Sequence, residues 1–176
     1  HFSDMPSVLR HICPDPIVVA SASPPDRHGW FSLGTNADYV SSFIGKAPFF
    51  LEVNPFMPRT RGENNLHISQ VAGWMFDEHP LIDVPRAEMN DKDRTIGRLI
   101  SDRIPNGATV QVGIGSISSA VLDELGDHRD LGVHTELFSD ALADLFEAGV
   151  ITGTRKATRP GKMVTTFALG TQRTYD

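Results

Sequence analysis

Two short stretches hold the residues whose types and spacing could do chemistry. The first is Val110-Gln-Val-Gly-Ile-Gly-Ser-Ile-Ser118, a glycine pair set between an apolar run and a helical pattern. Glycine lets backbone approach a ligand closely. The free N–H groups at a helix start, aided by the helix dipole, favour an anion such as a phosphate. As a pattern this is G-x-G-x-x-S, a dinucleotide fingerprint with Ser118 in place of the third glycine, and Glu136 falls 21 residues after Gly115, near the ~20 expected of a ribose-binding acid. A nicotinamide or flavin site is one reading of the pattern, and a tight turn with no ligand is the other. The second stretch is Val133-His-Thr-Glu-Leu-Phe138. Here Glu136 lies near the carboxyl end of a run that predicts a buried strand, the end at which open α/β sheets bind ligands. A carboxylate is costly to bury unless it is paired or used. Its roles there range from a hydrogen-bonded structural acid to a covalent nucleophile.

The elements that must position these residues are legible around them. Pro16-Ile-Val-Val-Ala-Ser21, Trp30-Phe-Ser-Leu33 and Phe49-Phe-Leu-Glu-Val53 predict strands, and the spacing of Val40, Phe43 and Ile44 predicts a helix from Asn36, as N-cap, to Lys46. Ser23 to Gly29 and Asn54 to Gly62 are dense in turn formers and read as loops. Periodicity fades around Pro80 and Pro85, which places a boundary between two halves, 1–88 and 89–176. In the second half, Asp91 to Ile104 reads as an amphipathic helix capped by Asn90 or Asp91, with Ile96, Leu99, Ile100 and Ile104 on its core face. Strand 108–112, loop 113–117, helix 118–125, strand 132–138, helix 140–148 and strand 163–169 follow. Strand, glycine turn, helix, strand, helix is the order of a parallel sheet. The expected fold is therefore α/β, with two open, largely parallel sheet halves and the second incomplete.

Composition narrows the function classes. The chain has 176 residues, 40% hydrophobic and 22% charged, the balance of a globular protein rather than a disordered one. Sixteen basic against twenty-two acidic residues leave a net charge of -6, which argues against non-specific binding to nucleic acid or to an anionic membrane surface. No apolar run approaches the ~20 residues of a membrane helix. The one cysteine, Cys13, excludes an internal disulfide framework and fits a reducing compartment. It is expected as a buried structural thiol. The expected location is cytoplasmic.

The residues also carry a resemblance. Gln111-Val-Gly-Ile-Gly-Ser-Ile117, then Ala120-Val-Leu122, then Asp130-Leu-Gly-Val-His-Thr-Glu-Leu-Phe-Ser-Asp140 resemble the acetyl-CoA hydrolase/CoA-transferase family. Ser23 to Gly34, Val53 to Gly62, and Gly149-Val-Ile-Thr152 followed by Pro160-Gly-Lys162 resemble further blocks of that family in the same order. The resemblance implies a CoA-transferase that moves CoA between an acyl-CoA and a small carboxylic acid, with coenzyme A as part of the substrate and no metal. It implies Glu136 as the attacking glutamate, through a mixed anhydride and a glutamyl-CoA thioester, and Gly113, Ile114, Gly115, Ser116 and Ile117 as the CoA-binding turn. Gln111 is expected to orient the glutamate or the thioester oxygen. Asn54, Met57 and His28 are expected in the substrate pocket. Ala141 stands where the family usually has glycine, and Ser118 where it usually has proline. Members are more than twice as long, with a second glycine-rich motif that helps complete the site. A homo-oligomer, or association with the remainder of the polypeptide, is therefore expected.

Other residues read more plainly. His128 and His134 lie six apart with no cysteine or carboxylate cluster to complete a metal site, and are expected as surface or hydrogen-bonding histidines. Asp26 and His28 suit acid–base roles or a simple turn. Arg59 and Arg61 suit phosphate or carboxylate binding, or a solvated loop. Three alternatives to the transferase stay open at this point: an acyl-CoA hydrolase, a CoA-binding fragment without turnover, and a nicotinamide-binding domain in which Glu136 holds a ribose.

Overall fold

A computed structural model describes residues 2–176, Phe2 by its backbone alone. The chain divides into two compact units, one reaching Ile82 and including Tyr175–Asp176, the other Asp83–Thr174.

In the first unit, helix α1 (Met5–Ile12) precedes strands β1 (Val18–Ala22), β2 (Trp30–Ser32), β3 (Phe49–Val53), β4 (Asn65–His67) and β5 (Val71–Phe76). β1, β3 and β5 form a parallel sheet with β3 central, and β2 pairs antiparallel with β4. Alternation on β3 buries Phe49, Leu51 and Val53 and leaves Phe50 and Glu52 on the other face. The buried three join Ala22, Phe31, Leu33, Phe43 and Leu66 in one core. The predicted helix 36–46 is instead a short 3-10 turn, Tyr39–Phe43, capped by Asp38, whose carboxylate accepts from the Val40 amide at 2.9 Å. The Ser41 and Ser42 hydroxyls donate to the carbonyls of Asp38 and Tyr39 at 2.8 and 2.7 Å. Such local bonds compete with the α-helical ladder and tighten the turn. Cys13 follows α1 and is exposed, not buried.

The second unit contains α2 (Asp91–Ser101), β6 (Thr109–Val110), α3 (Ser116–Asp123), β7 (Gly132–Phe138), α4 (Asp140–Glu147) and β8 (Val164–Ala168), and α5 (Gln172–Tyr175) closes the chain. The sheet is parallel and open, in the order β6-β7-β8. Its core gathers Leu122, Leu125, Leu131, Val133, Leu142, Leu145 and Ile151 among others. The α/β expectation of open parallel sheets therefore holds.

Asn90 caps α2: its carbonyl oxygen accepts from the amides of Lys92 and Asp93 at 2.9 and 3.1 Å, and Asp93 accepts from the Asn90 amide in return. The buried face of α2 is not the predicted one. Asp93, Gly97 and Ser101 are buried, while Ile96, Leu99 and Ile100 are 39%, 51% and 40% exposed. Close approach decides this. At Gly97 a methyl group would stand 2.7 Å from the Ala120 backbone, and the Ser101 hydroxyl donates to the Glu124 carbonyl at 2.9 Å.

At the start of α4, Asp140 holds the turn after β8. Its carboxylate accepts from the Thr171 amide at 3.2 Å, from the Thr171 hydroxyl at 3.1 Å, and from the Thr174 hydroxyl. Burial works against its charge. The Thr174 and Thr171 bonds and the positive charge of Arg86 outweigh burial and hold the carboxyl below its usual range.

Two outcomes follow from this packing. Gly97→Ala has backbone, not a flexible side chain, in its way, and should destabilise the second unit by about 1–3 kcal/mol in a urea melt. Asp140→Asn should cost about 1.5–3 kcal/mol at pH 7. Because the folded pKa lies below the ordinary 3.8, this stabilisation is present above that pH and is lost as pH falls through the lower folded value. Urea midpoints of variant and wild type should therefore converge in acid.

Candidate functional site

The site of the second unit is built on β7 and its neighbours. Val133, Thr135 and Leu137 are 0%, 5% and 8% exposed, whereas His134 and Glu136 are exposed on the opposite face. Glu136 is thus not the buried carboxylate the sequence predicts. The strand is buried on one face only, so its carboxylate meets solvent without the cost of a core position. Thr109 and Val110 of β6 pair with Gly132 and Val133, and His134 and Leu137 pair with Val164 and Phe167 of β8. Past Val110, β6 and β7 are no longer paired directly, and Gln111, His134 and Glu136 are each exposed.

Side chains replace several ladder bonds around this strand. The Thr135 hydroxyl accepts from the Val112 amide at 2.8 Å and donates to the Val112 carbonyl at 2.9 Å. The Thr165 hydroxyl, with one proton to give, lies 3.0 Å from the Glu136 carbonyl and 2.9 Å from the Phe167 carbonyl. Lys156, 5% exposed, donates its ammonium to the carbonyls of Val133 and Lys162 at 2.7 and 2.6 Å. Burial, and then the nearby Arg159 charge, push the Lys156 pKa down.

The glycine turn lies over the ends of these strands. Gly115 has φ 138°, a conformation that residues with a Cβ rarely adopt. α3 begins at Ser116, so Ser116 and Ile117 belong to its first turn rather than to the loop. Its N-cap, Gly115, offers no side chain to the first N–H groups. No heavy atom outside the turn lies within 4 Å of where a Gly115 Cβ would stand, and at Gly113 the nearest is the Ser118 hydroxyl at 3.9 Å. Ile114 is 73% exposed. The turn is thus an open surface with backbone donors at its helical end. A 180 Å³ cavity lies on its other side, lined by Arg86, Ile114, Ser118, Leu137 and Asp140 among others, but not by Glu136. A second cavity, of 220 Å³, includes Gln111 and Gly113 in its wall.

In the first unit, Asn54 is fully buried, and its amide donates to the His79 carbonyl at 2.8 Å while its oxygen accepts from the Phe56 amide at 3.0 Å. Met57 is buried, with its sulfur 3.5 Å from the Thr35 amide. His28 is exposed and accepts from the Arg27 guanidinium at 3.0 Å. Asp26 accepts from the amides of Trp30 and His28 at 3.0 and 2.9 Å. The Trp30 bond above all, with the His28 amide and the Arg59 charge, holds its carboxyl below the usual range against an opposing effect of burial. Arg59 also donates to the Ser23 hydroxyl and the Pro24 carbonyl.

Among the described residues, one group combines metal-ligand types: Glu52, Asp77 and His79, with ligand atoms within 4.8 Å of one another. No sequence spacing announces it, because Glu52 comes from β3 and the other two follow β5. Two of the three, Glu52 and His79, already have partners. His79 Nε2 lies 3.1 Å from Glu52 Oε1, which also accepts from the Ser21 hydroxyl at 3.2 Å. The Glu52 bond first, then the Pro80 carbonyl, raise the His79 pKa above its ordinary value. His128 donates from Nε2 to the Ile104 carbonyl at 2.9 Å, a structural bond, and His134 is exposed.

No family model matches the chain. It is 36% identical over 177 residues to a 4-hydroxybutyrate coenzyme A transferase of Clostridium kluyveri, covering 99% of this chain and 41% of the relative. It is 38% identical over 181 residues to a succinyl-CoA:acetate/propanoyl-CoA:succinate CoA transferase of Fasciola hepatica, covering 99% and 37%. The fold is similar to RipA from Yersinia pestis, at TM-score 0.94 and 37% identity over 99% of this chain and 41% of that one. It is equally similar, at TM-score 0.94 and 35% identity, to a 4-hydroxybutyrate CoA-transferase from Porphyromonas gingivalis, over 100% and 46%. The chain spans about two fifths of the length of the curated relatives it matches. In sequence and in fold alike, it belongs to the CoA-transferase family as a partial chain.

Proposed function

We propose that the chain carries the acyl-transfer centre of an enzyme that moves CoA from an acyl-CoA, such as acetyl-CoA, to a small carboxylic acid, with Glu136 as nucleophile. One observation carries this reading: Glu136 is solvent-exposed on the central parallel strand of a unit that also presents an open glycine turn, in a chain that aligns over 99% of its length with CoA-transferases. A Glu136 carboxylate oxygen attacks the thioester carbonyl, the C–S bond breaks, and CoA leaves as thiolate from a mixed anhydride. The thiolate attacks the glutamyl carbonyl, the anhydride C–O bond breaks, and the first carboxylate departs. Glu136 is left as a CoA thioester. An incoming carboxylate reverses the sequence and restores the Glu136 carboxylate. No net proton or electron is consumed, and one thioester replaces another of similar energy.

The other residues take supporting roles. The N–H groups of the 113–117 turn and the start of α3 suit a CoA phosphate or the oxygen of the polarised thioester. Gln111, exposed just after β6, suits orientation of the carboxylate. Of the first-unit residues expected around the substrate, His28 has an exposed ring, whereas Asn54 and Met57 are buried. The remaining length of the relatives implies further polypeptide that completes the site, in cis or by association. Water in place of the incoming carboxylate would make the same centre a hydrolase.

Label exchange tests the reading. The intact protein should exchange labelled acetate into acetyl-CoA with ping-pong kinetics, and Glu136→Gln should lose at least about 10³-fold of that rate. Full exchange by Glu136→Gln contradicts the assignment. Free CoA formed without any exchange identifies a hydrolase.

A further inference from the structure

β6 pairs directly with β7 only at Thr109 and Val110, although the chain continues to the glycine turn. Two residues further on, at Val112, the partner is a side chain. The Thr135 hydroxyl accepts from the Val112 N–H at 2.8 Å and donates to the Val112 carbonyl at 2.9 Å. A hydroxyl has one donor and two lone pairs, so it can satisfy both groups at once. The side chain is 5% exposed, and it lies on the buried face of β7 beside Val133 and Leu137. A valine there would keep the shape and leave both Val112 groups without that partner. Val112 stands one residue before Gly113, and Thr135 one residue before Glu136. The pair therefore joins the residue before the turn to the residue before the carboxylate.

We propose that Thr135 is a positioning residue, whose hydroxyl sets the separation between the Gly113–Gly115 turn and Glu136 and so aligns the thioester of a CoA held on the turn with the carboxylate. This rests on the reading of Glu136 as nucleophile. A side-chain oxygen interposed for a ladder bond fixes where the turn leaves the sheet, while the Thr165 hydroxyl lies 3.0 Å from the Glu136 carbonyl at the strand's other edge. Near-attack geometry is sensitive to displacements of about 1 Å, which cost on the order of 10²-fold.

Single turnover separates positioning from folding. The intact protein is mixed with acetyl-labelled acetyl-CoA and no added carboxylate, and released acetate is followed. One acetate leaves for each glutamyl-CoA thioester formed. Thr135→Val should release acetate with a rate constant about 10- to 100-fold lower and an undiminished amplitude, and Thr135→Ser, which keeps the hydroxyl, should stay close to wild type. A merely structural role would instead lower the amplitude with the folded fraction and leave the rate constant of the remainder unchanged. That result, or a serine variant as slow as the valine one, overturns the proposal. Wild-type protein that releases no acetate overturns the reading of Glu136 itself, and this role with it.

Discussion

The two-residue period of β7 is the constraint on which the second unit depends. β7 is the middle strand of three, paired in parallel with β6 at Gly132 and Val133 and with β8 between His134 and Phe138. Its side chains must therefore go up or down. Val133, Thr135 and Leu137 are buried, Val133 in the core with Leu142 and Leu145, and this forces His134 and Glu136 to the other side. Shifting the register by one residue would bury the carboxylate and expose the core. The position of Glu136 is therefore fixed by its apolar neighbours, and the site borrows its rigidity from the packing beneath it.

Polar atoms reinforce that packing where the ladder is incomplete. Thr135 and Lys156 each supply a bond to a backbone group around residues 112–136, and Asp140 does the same for the turn that follows β8. Buried polar groups are tolerable only when bonded, and each of these has partners. The result is a strand end held by side chains from several directions, close to an open glycine turn. A reacting carboxylate benefits from such preorganisation, because it need not reorganise its surroundings as charge moves.

Much of this was legible in the sequence, and the reasons for the rest are specific. The strand–turn–helix order from 108 to 148 shows in short apolar runs punctuated by glycine, and Asn90 reads as a cap. The exposed apolar stripe of α2 does not show, because periodicity reports which face is apolar and not which face lets a neighbour come close. Gly97 against Ala120 decided that. Strands β4 and β5 are not among those the sequence predicts: a 3-10 turn separates them at Ile68–Gln70, and Trp74-Met-Phe76 lacks alternation of burial. Glu136 stood out by type, but its exposure depends on a sheet face that sequence cannot show to be uncovered. The Thr135 bond joins residues 23 apart, and the Glu52–His79 pair joins residues 27 apart. No local pattern encodes either one.

A nucleophilic Glu136 becomes covalently bound to CoA. The most direct measurement is to incubate the intact protein with acetyl-CoA without an acceptor, reduce it briefly with borohydride, digest it, and locate the modified residue by mass. The account predicts a peptide in which the Glu136 carboxyl has become an alcohol, a mark that disappears in Glu136→Gln. A mark on another residue, or an unmarked Glu136 in protein that turns over acetyl-CoA, would contradict it.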